Sequence, residues 1–61
     1  MMIELTGKNG RLVLVRPELV WAVDDLPDGG CVIIFSTHSI QVRESYSEVR
    51  TKLGVGKESR L

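Results

Sequence analysis

The chain has 61 residues, one cysteine, one histidine, and eight basic side chains balanced by eight acidic ones. That length allows one domain, whose core supplies only about 3–5 kcal/mol unless a disulfide, a metal or association reinforces it. One cysteine cannot close an internal disulfide, no pair of Cys/His clusters is present for a zinc site, and zero net charge argues against a general nucleic-acid or membrane-surface binder.

In chain order, Met2 to Thr6 alternates, with Ile3 and Leu5 on one face and Glu4 and Thr6 on the other, which predicts a strand. Asn9-Gly10 then signals a hairpin, because both residues tolerate the positive φ of a type I′ turn. Arg11 to Val15 is the second strand, with Leu12 and Leu14 on one face and Val13 and Val15 on the other. Pro17 cannot donate to a ladder, so the chain breaks at Arg16-Pro17-Glu18, with room for a short helical turn from Pro17 to Val20. Leu19 to Val23 is the third strand candidate. Asp24 to Gly30 reads as a loop, with Pro27 followed by Asp28-Gly29-Gly30. Val32 to Phe35 is the fourth strand, rich in β-branched residues. Ser36-Thr37-His38-Ser39 is a polar turn, and Ile40 to Arg43 is the fifth strand.

The period then changes. Ser45-Tyr46-Ser47-Glu48 has the form of a capping box, in which Ser45 accepts from the Glu48 amide and Glu48 reaches back to the cap amide. Tyr46, Val49 and Leu53 fall on one helical face, and Gly54 is placed to end the helix in a left-handed conformation. The expected fold is mainly β: five short antiparallel strands in a small curled or barrel-like sheet, followed by one short C-terminal helix over about residues 45–53. Residues 1–54 form the expected domain, and 55–61 the expected flexible tail.

These strands carry more apolar residues than one short helix covers. Either the sheet rolls into a tiny barrel and buries both faces, or one face or edge is a homo-oligomer interface. Val13, Val15, Trp21, Val23, Val32 and Ile34 are the candidate self-association or partner residues. Trp21 leads that set, because tryptophan is enriched at interface hot spots.

Catalysis needs a positioned acid, base or nucleophile in a pocket, and the polar candidates fall mostly in turns. His38 lies beside hydroxyls in its turn, but four consecutive turn residues do not assemble a catalytic triad. Asp24, Asp25 and Asp28 lack the spacing of a calcium loop, and Gly29-Gly30 lacks the pattern of a phosphate loop. The chain is therefore expected to be no enzyme and to use no cofactor. Its zero charge is a cancellation: residues 1–23 sum to +1, 24–48 to −4 and 49–61 to +3. Arg50, Lys52, Lys57 and Arg60 make a basic C-terminal stretch suited to a helix end, and His38, Arg43, Arg50 and Lys52 are the candidate polar contacts.

No basic region followed by an apolar stretch opens the chain, since Met1-Met2-Ile3 runs directly into Glu4. No apolar run exceeds the five residues of Cys31 to Phe35, far below the roughly 20 that span a bilayer. A lone cysteine in that run fits a reducing compartment. A cytoplasmic protein without membrane insertion is expected.

Three segments carry a family resemblance: Met2-Ile3-Glu4-Leu5-Thr6 followed by Asn9-Gly10; Pro17-Glu18-Leu19-Val20; and Val42-Arg43-Glu44-Ser45 leading to Ser47-Glu48-Val49. In this order, over about residues 2–53, the chain resembles the small flagellar FlbD and swarming-motility SwrD family. The resemblance implies an accessory protein that supports motility through protein contacts, with no catalytic residues. Trp21-Ala22-Val23 replaces the isoleucine-rich segment of that family, as in a relative carried by a phage or other mobile element. Such an oligomer would bind a partner or a small molecule between subunits, with Trp21, His38 or Arg43 lining the site. The chain is also similar, more weakly, to carbon-storage regulators of the CsrA type. That resemblance implies RNA binding by the positions of Glu4, Thr6, Arg43 and Glu44, of which the two glutamates suit phosphate poorly.

Overall fold

The computed structural model describes residues 1–54, so the expected tail, 55–61, lies outside the described residues. The fold is mainly β, with strands β1 (Ile3–Thr6), β2 (Leu12–Val15), β3 (Ala22–Asp25), β4 (Cys31–Ile34) and β5 (Ser39–Val42), followed by helix α1 (Tyr46–Leu53). A 3-10 turn at Pro17–Leu19 separates β2 from β3. The strands form two antiparallel sheets, β1-β2 and β3-β4-β5, and do not close into a barrel. An antiparallel bridge between Gly7 and Val42 joins the sheets at one corner. The Lys8 amide donates to the Gln41 carbonyl at 3.0 Å and the Arg43 amide to the Thr6 carbonyl at 2.8 Å.

The first hairpin differs from the expected type I′ turn. The Gly10 amide closes a turn on the Gly7 carbonyl, and the Gly7 amide donates to the Arg11 carbonyl at 2.7 Å. Gly10 has φ +88°, whereas Lys8 and Asn9 keep negative φ. This is the pattern of a type I turn followed by a left-handed glycine, which makes a three-residue loop. The Asn9 Oδ1 accepts from the Arg11 amide at 3.1 Å and holds the loop. A two-residue Asn9-Gly10 loop would set Leu5 opposite Leu14. The observed register sets Ile3 opposite Val15 and Leu5 opposite Val13. One residue of register exchanges the faces of a strand. Val13 and Val15 therefore point into the molecule, and Leu12 and Leu14 point out.

The third strand also shifts from its expected span. Pro17 starts a 3-10 turn in which the Leu19 and Val20 amides donate back to the Arg16 and Pro17 carbonyls. That turn takes Leu19 out of any ladder, and β3 begins only at Ala22. It runs into the acidic residues assigned to a loop, pairing Asp24 with Val32 and Asp25 with Cys31. Both aspartates are exposed, so water solvates their charges. In the following loop, Gly30 has φ +74°, and a Cβ there would overlap the Val42 carbonyl oxygen. Only glycine meets both conditions.

The core consists of Ile3, Leu5, Val15, Cys31, Ile33, Val42 and Val49. These come from alternate positions of four strands and one helical residue. The Ser45 Oγ caps α1 by accepting from the Glu48 amide at 3.2 Å, without a return bond from Glu48, and Gly54 ends the helix in the left-handed conformation. Val49 is fully buried, Leu53 is half-buried, and Tyr46, expected on the same stripe, is 41% exposed. No helix among the described residues is long and apolar enough to cross a membrane.

Candidate interaction surface

The expected self-association residues separate into three environments. Val15 is 3% exposed and belongs to the core, so its place on an outer surface is corrected. The loop register explains this, since Val15 lies opposite the inward-facing Ile3. Val13 and Val23 are half-buried and pack against the core. Val32 and Ile34, also half-buried, stand on the opposite face of their sheet from the buried Cys31 and Ile33. Trp21 is 72% exposed. Sequence reasoning missed the outermost aliphatic residues: Leu12 at 67%, Leu14 at 63% and Leu19 at 57% exposure. The inward alternation of Ile3 and Leu5, combined with a three-residue loop, would have identified the first two.

Trp21 lines a groove of about 580 Å³ between the Pro17–Val23 segment and α1. Tyr46, Arg50 and Leu53 form its helical wall, and Val20 and Val23 its floor beside the core. The 3-10 turn produces this arrangement by carrying the chain off the end of β2 and across to β3. The Trp21 amide is fixed by the Ile34 carbonyl at 2.8 Å, so the exposed indole stands on an anchored backbone. The groove offers flat aromatic surface with Glu18 and Arg50 in its lining, a chemistry suited to the side chains of another protein.

A second cluster lies where β1 meets β5. Both oxygens of the Glu44 carboxylate accept from the Thr6 amide, at 2.9 and 2.8 Å, and the Lys52 ammonium donates to the Glu4 carbonyl at 3.0 Å. The backbone groups of Glu4 and Thr6 face away from β2 in this register, and Glu44 and Lys52 supply what a neighbouring strand would. Burial works against the Glu44 charge, but hydrogen bonds from Thr6 and from its own amide, with the nearby Lys52, hold its carboxyl below the usual range.

Arg43 donates from Nε to the Lys8 carbonyl at 3.2 Å and lies over Gly10. The structure thus brings together Glu4, Thr6, Arg43, Glu44 and Lys52, each engaged with the protein's own backbone or fixing it. Arg50 is apart from them, in the Trp21 groove. His38 stacks on Phe35 with ring centroids 4.7 Å apart, and its Nδ1 is 3.1 Å from the Thr37 hydroxyl. This pairing secures the β4–β5 turn, where the Phe35 amide donates to the His38 carbonyl at 2.8 Å.

Cys31 is fully buried, and its thiol donates to the Glu44 carbonyl at 3.5 Å. Burial, reinforced by the charges of Asp25 and Glu44, pushes that thiol above its ordinary range. A raised thiol pKa makes Cys31 a poor nucleophile. Among the described residues, no group of His, Cys, Asp and Glu is arranged to hold a metal ion. No family model, curated protein or solved structure matches the chain.

Proposed function

We propose that this chain is a small non-catalytic interaction protein that self-associates and engages another protein, as the FlbD and SwrD resemblance implies. The observation that supports this reading is the placement of Leu12, Leu14, Leu19 and Trp21 outside a core that, among the described residues, consists of aliphatic side chains and one cysteine. Exposed apolar side chains of this size are a cost in a monomer and an anchor in a complex. In this reading the Trp21 groove receives the protein partner, with the indole as its anchor, and the function is accessory to motility.

Two measurements test the parts separately. Light scattering over a concentration series should show a mass above that of one chain; a monomer throughout would remove self-association. Deletion of the gene in its host should impair swimming or swarming; unaffected motility would remove the accessory role. Trp21→Ala should reproduce the deletion while leaving the thermal melt unchanged, because the exposed indole contributes little to the core.

A further inference from the structure

The two edges of β1-β2 are treated differently. On β1, Glu44 accepts from the Thr6 amide, the Arg43 amide donates to the Thr6 carbonyl, and Lys52 donates to the Glu4 carbonyl. On β2, the hydrogen-bonded pairs with β1 are those of Val13 and Val15, continued by Gly7 with Arg11. The N–H and C=O groups of Leu12 and Leu14 therefore point to the outer edge, which no strand covers among the described residues. The free stretch is bounded on both sides. The Gly10 amide is taken by the Gly7 carbonyl, and the Arg16 carbonyl by the Leu19 amide.

We propose that β2 is a self-complementary edge, through which two copies of the chain pair antiparallel about a two-fold axis at Val13. The proposal rests on the self-association reading above and names its surface. Among in-register antiparallel pairings of two β2 edges, setting Leu12 of one copy opposite Leu14 of the other satisfies the free donors and acceptors of both residues on both copies. A shift of one copy by two residues sets Leu12 opposite Arg16, whose carbonyl is occupied, or Leu14 opposite Gly10, whose amide is occupied. The same register stacks the exposed leucines of the two copies on one face and joins their sheets into β1-β2-β2-β1, an isologous contact.

Charge points to the same edge. Pairing two copies through β3 would bring Asp24 and Asp25 against their own kind, whereas Leu12 to Val15 is uncharged. In the β2 register Arg11 faces Val15 and Arg16 faces Gly10, so no cation meets a cation. Leu12 to Val15 also carries no lysine or proline, residues that block strand pairing. A four-residue strand and two leucines per copy bury less than the roughly 1,600 Å² of a standard interface, so the dimer is concentration-dependent rather than obligate.

The test uses the full chain from about 10 µM to about 1 mM, the range in which an interface of this size assembles. Sedimentation should show a monomer–dimer equilibrium that Leu12→Lys/Leu14→Lys weakens at least about tenfold, a modest expectation for charges placed on an edge. Leu14→Pro removes a donor that β1 does not use and should act likewise, with circular dichroism confirming that each variant is folded. Val13→Cys should give a disulfide-linked dimer on mild oxidation, because a non-hydrogen-bonded pair has Cα atoms about 4.5 Å apart, within disulfide reach. Leu14→Cys should cross-link poorly, and the buried Cys31 does not compete. A wild-type dimer that survives the folded edge variants would overturn the β2 edge but leave self-association standing, through the Trp21 groove or another surface. A wild-type monomer up to about 1 mM would overturn both. Binding of a strand from a different protein while the chain stays monomeric would also overturn the second copy as occupant.

Discussion

Replacing Gly30 with alanine is the most direct probe of how the two hairpins meet. Gly30 has φ +74°, a region that costs an alanine roughly 1–2 kcal/mol. The added Cβ would also overlap the Val42 carbonyl oxygen, and Val42 lies opposite Cys31 in the β4–β5 ladder. The methyl cannot be accommodated by a side-chain rotation, since its neighbour is backbone. Separating the strands to admit it adds about 1–3 kcal/mol, the usual range for overpacking. The sum is about 2–5 kcal/mol, comparable with the whole stability of about 3–5 kcal/mol available to a chain of this size. Gly54→Ala isolates the first contribution, because Gly54 has φ +79° with no neighbouring atom among the described residues within 4 Å of an added Cβ. Thermal melts by circular dichroism at one fixed protein concentration should show Gly54→Ala lowered by roughly 5–15 °C, and Gly30→Ala lowered well beyond that, with a measurable unfolded fraction already at room temperature. If the two variants melt within a few degrees of each other, the close approach of Gly30 to β5 is wrong.

Glu44→Gln should lower stability at neutral pH by about 1 kcal/mol, the scale of a half-exposed charge-assisted hydrogen bond. Because the folded protein holds the Glu44 carboxyl below its usual range, that stabilisation is present above about pH 4.3 and is lost as the pH falls through the lowered value. Denaturant titrations along this acid limb should show a smaller drop for the variant, and equal slopes would refute the contact. Ser45→Ala should lose about 1 kcal/mol with the cap on α1, read as a lower urea midpoint. An unchanged midpoint would mean that the Glu48 amide finds another acceptor. Cys31 should resist a thiol reagent in the native state and react in denaturant; prompt native labelling would contradict its burial. RNA binding at low salt would favour the carbon-storage reading, in which case Arg43→Ala should weaken it.

Much of the order of elements was legible because it rests on local chemistry. Ser45 and Gly54 bracket α1 by capping and by left-handed geometry, both of which are properties of the residues themselves. The β-branched run before Phe35 and the break at Pro17 are equally local. The extent of β3 was less legible, since Asp24 and Asp25 disfavour a strand by propensity and enter one only through pairing with Val32 and Cys31. The Glu44–Thr6 contact spans 38 residues, and no pattern within either segment announces it. Of the expected polar contacts, Arg43 and Lys52 proved to bind the protein's own carbonyls, an outcome that depends on where β1 and α1 lie in space.

The chain's length implies a small core, and its charges sum to zero. By itself the sequence determined five strands, one capped helix, and an excess of apolar strand residues over what a single helix covers. Tertiary structure decided which of those residues are outside. The decision turned on one residue of loop length at Gly7–Arg11: β2 is apolar on both faces, so its own pattern is indifferent to register. A strand with one polar face would have declared its orientation. Here only the pairing of Ile3 with Val15 and Leu5 with Val13 sends the valines inward and leaves Leu12 and Leu14 at the surface.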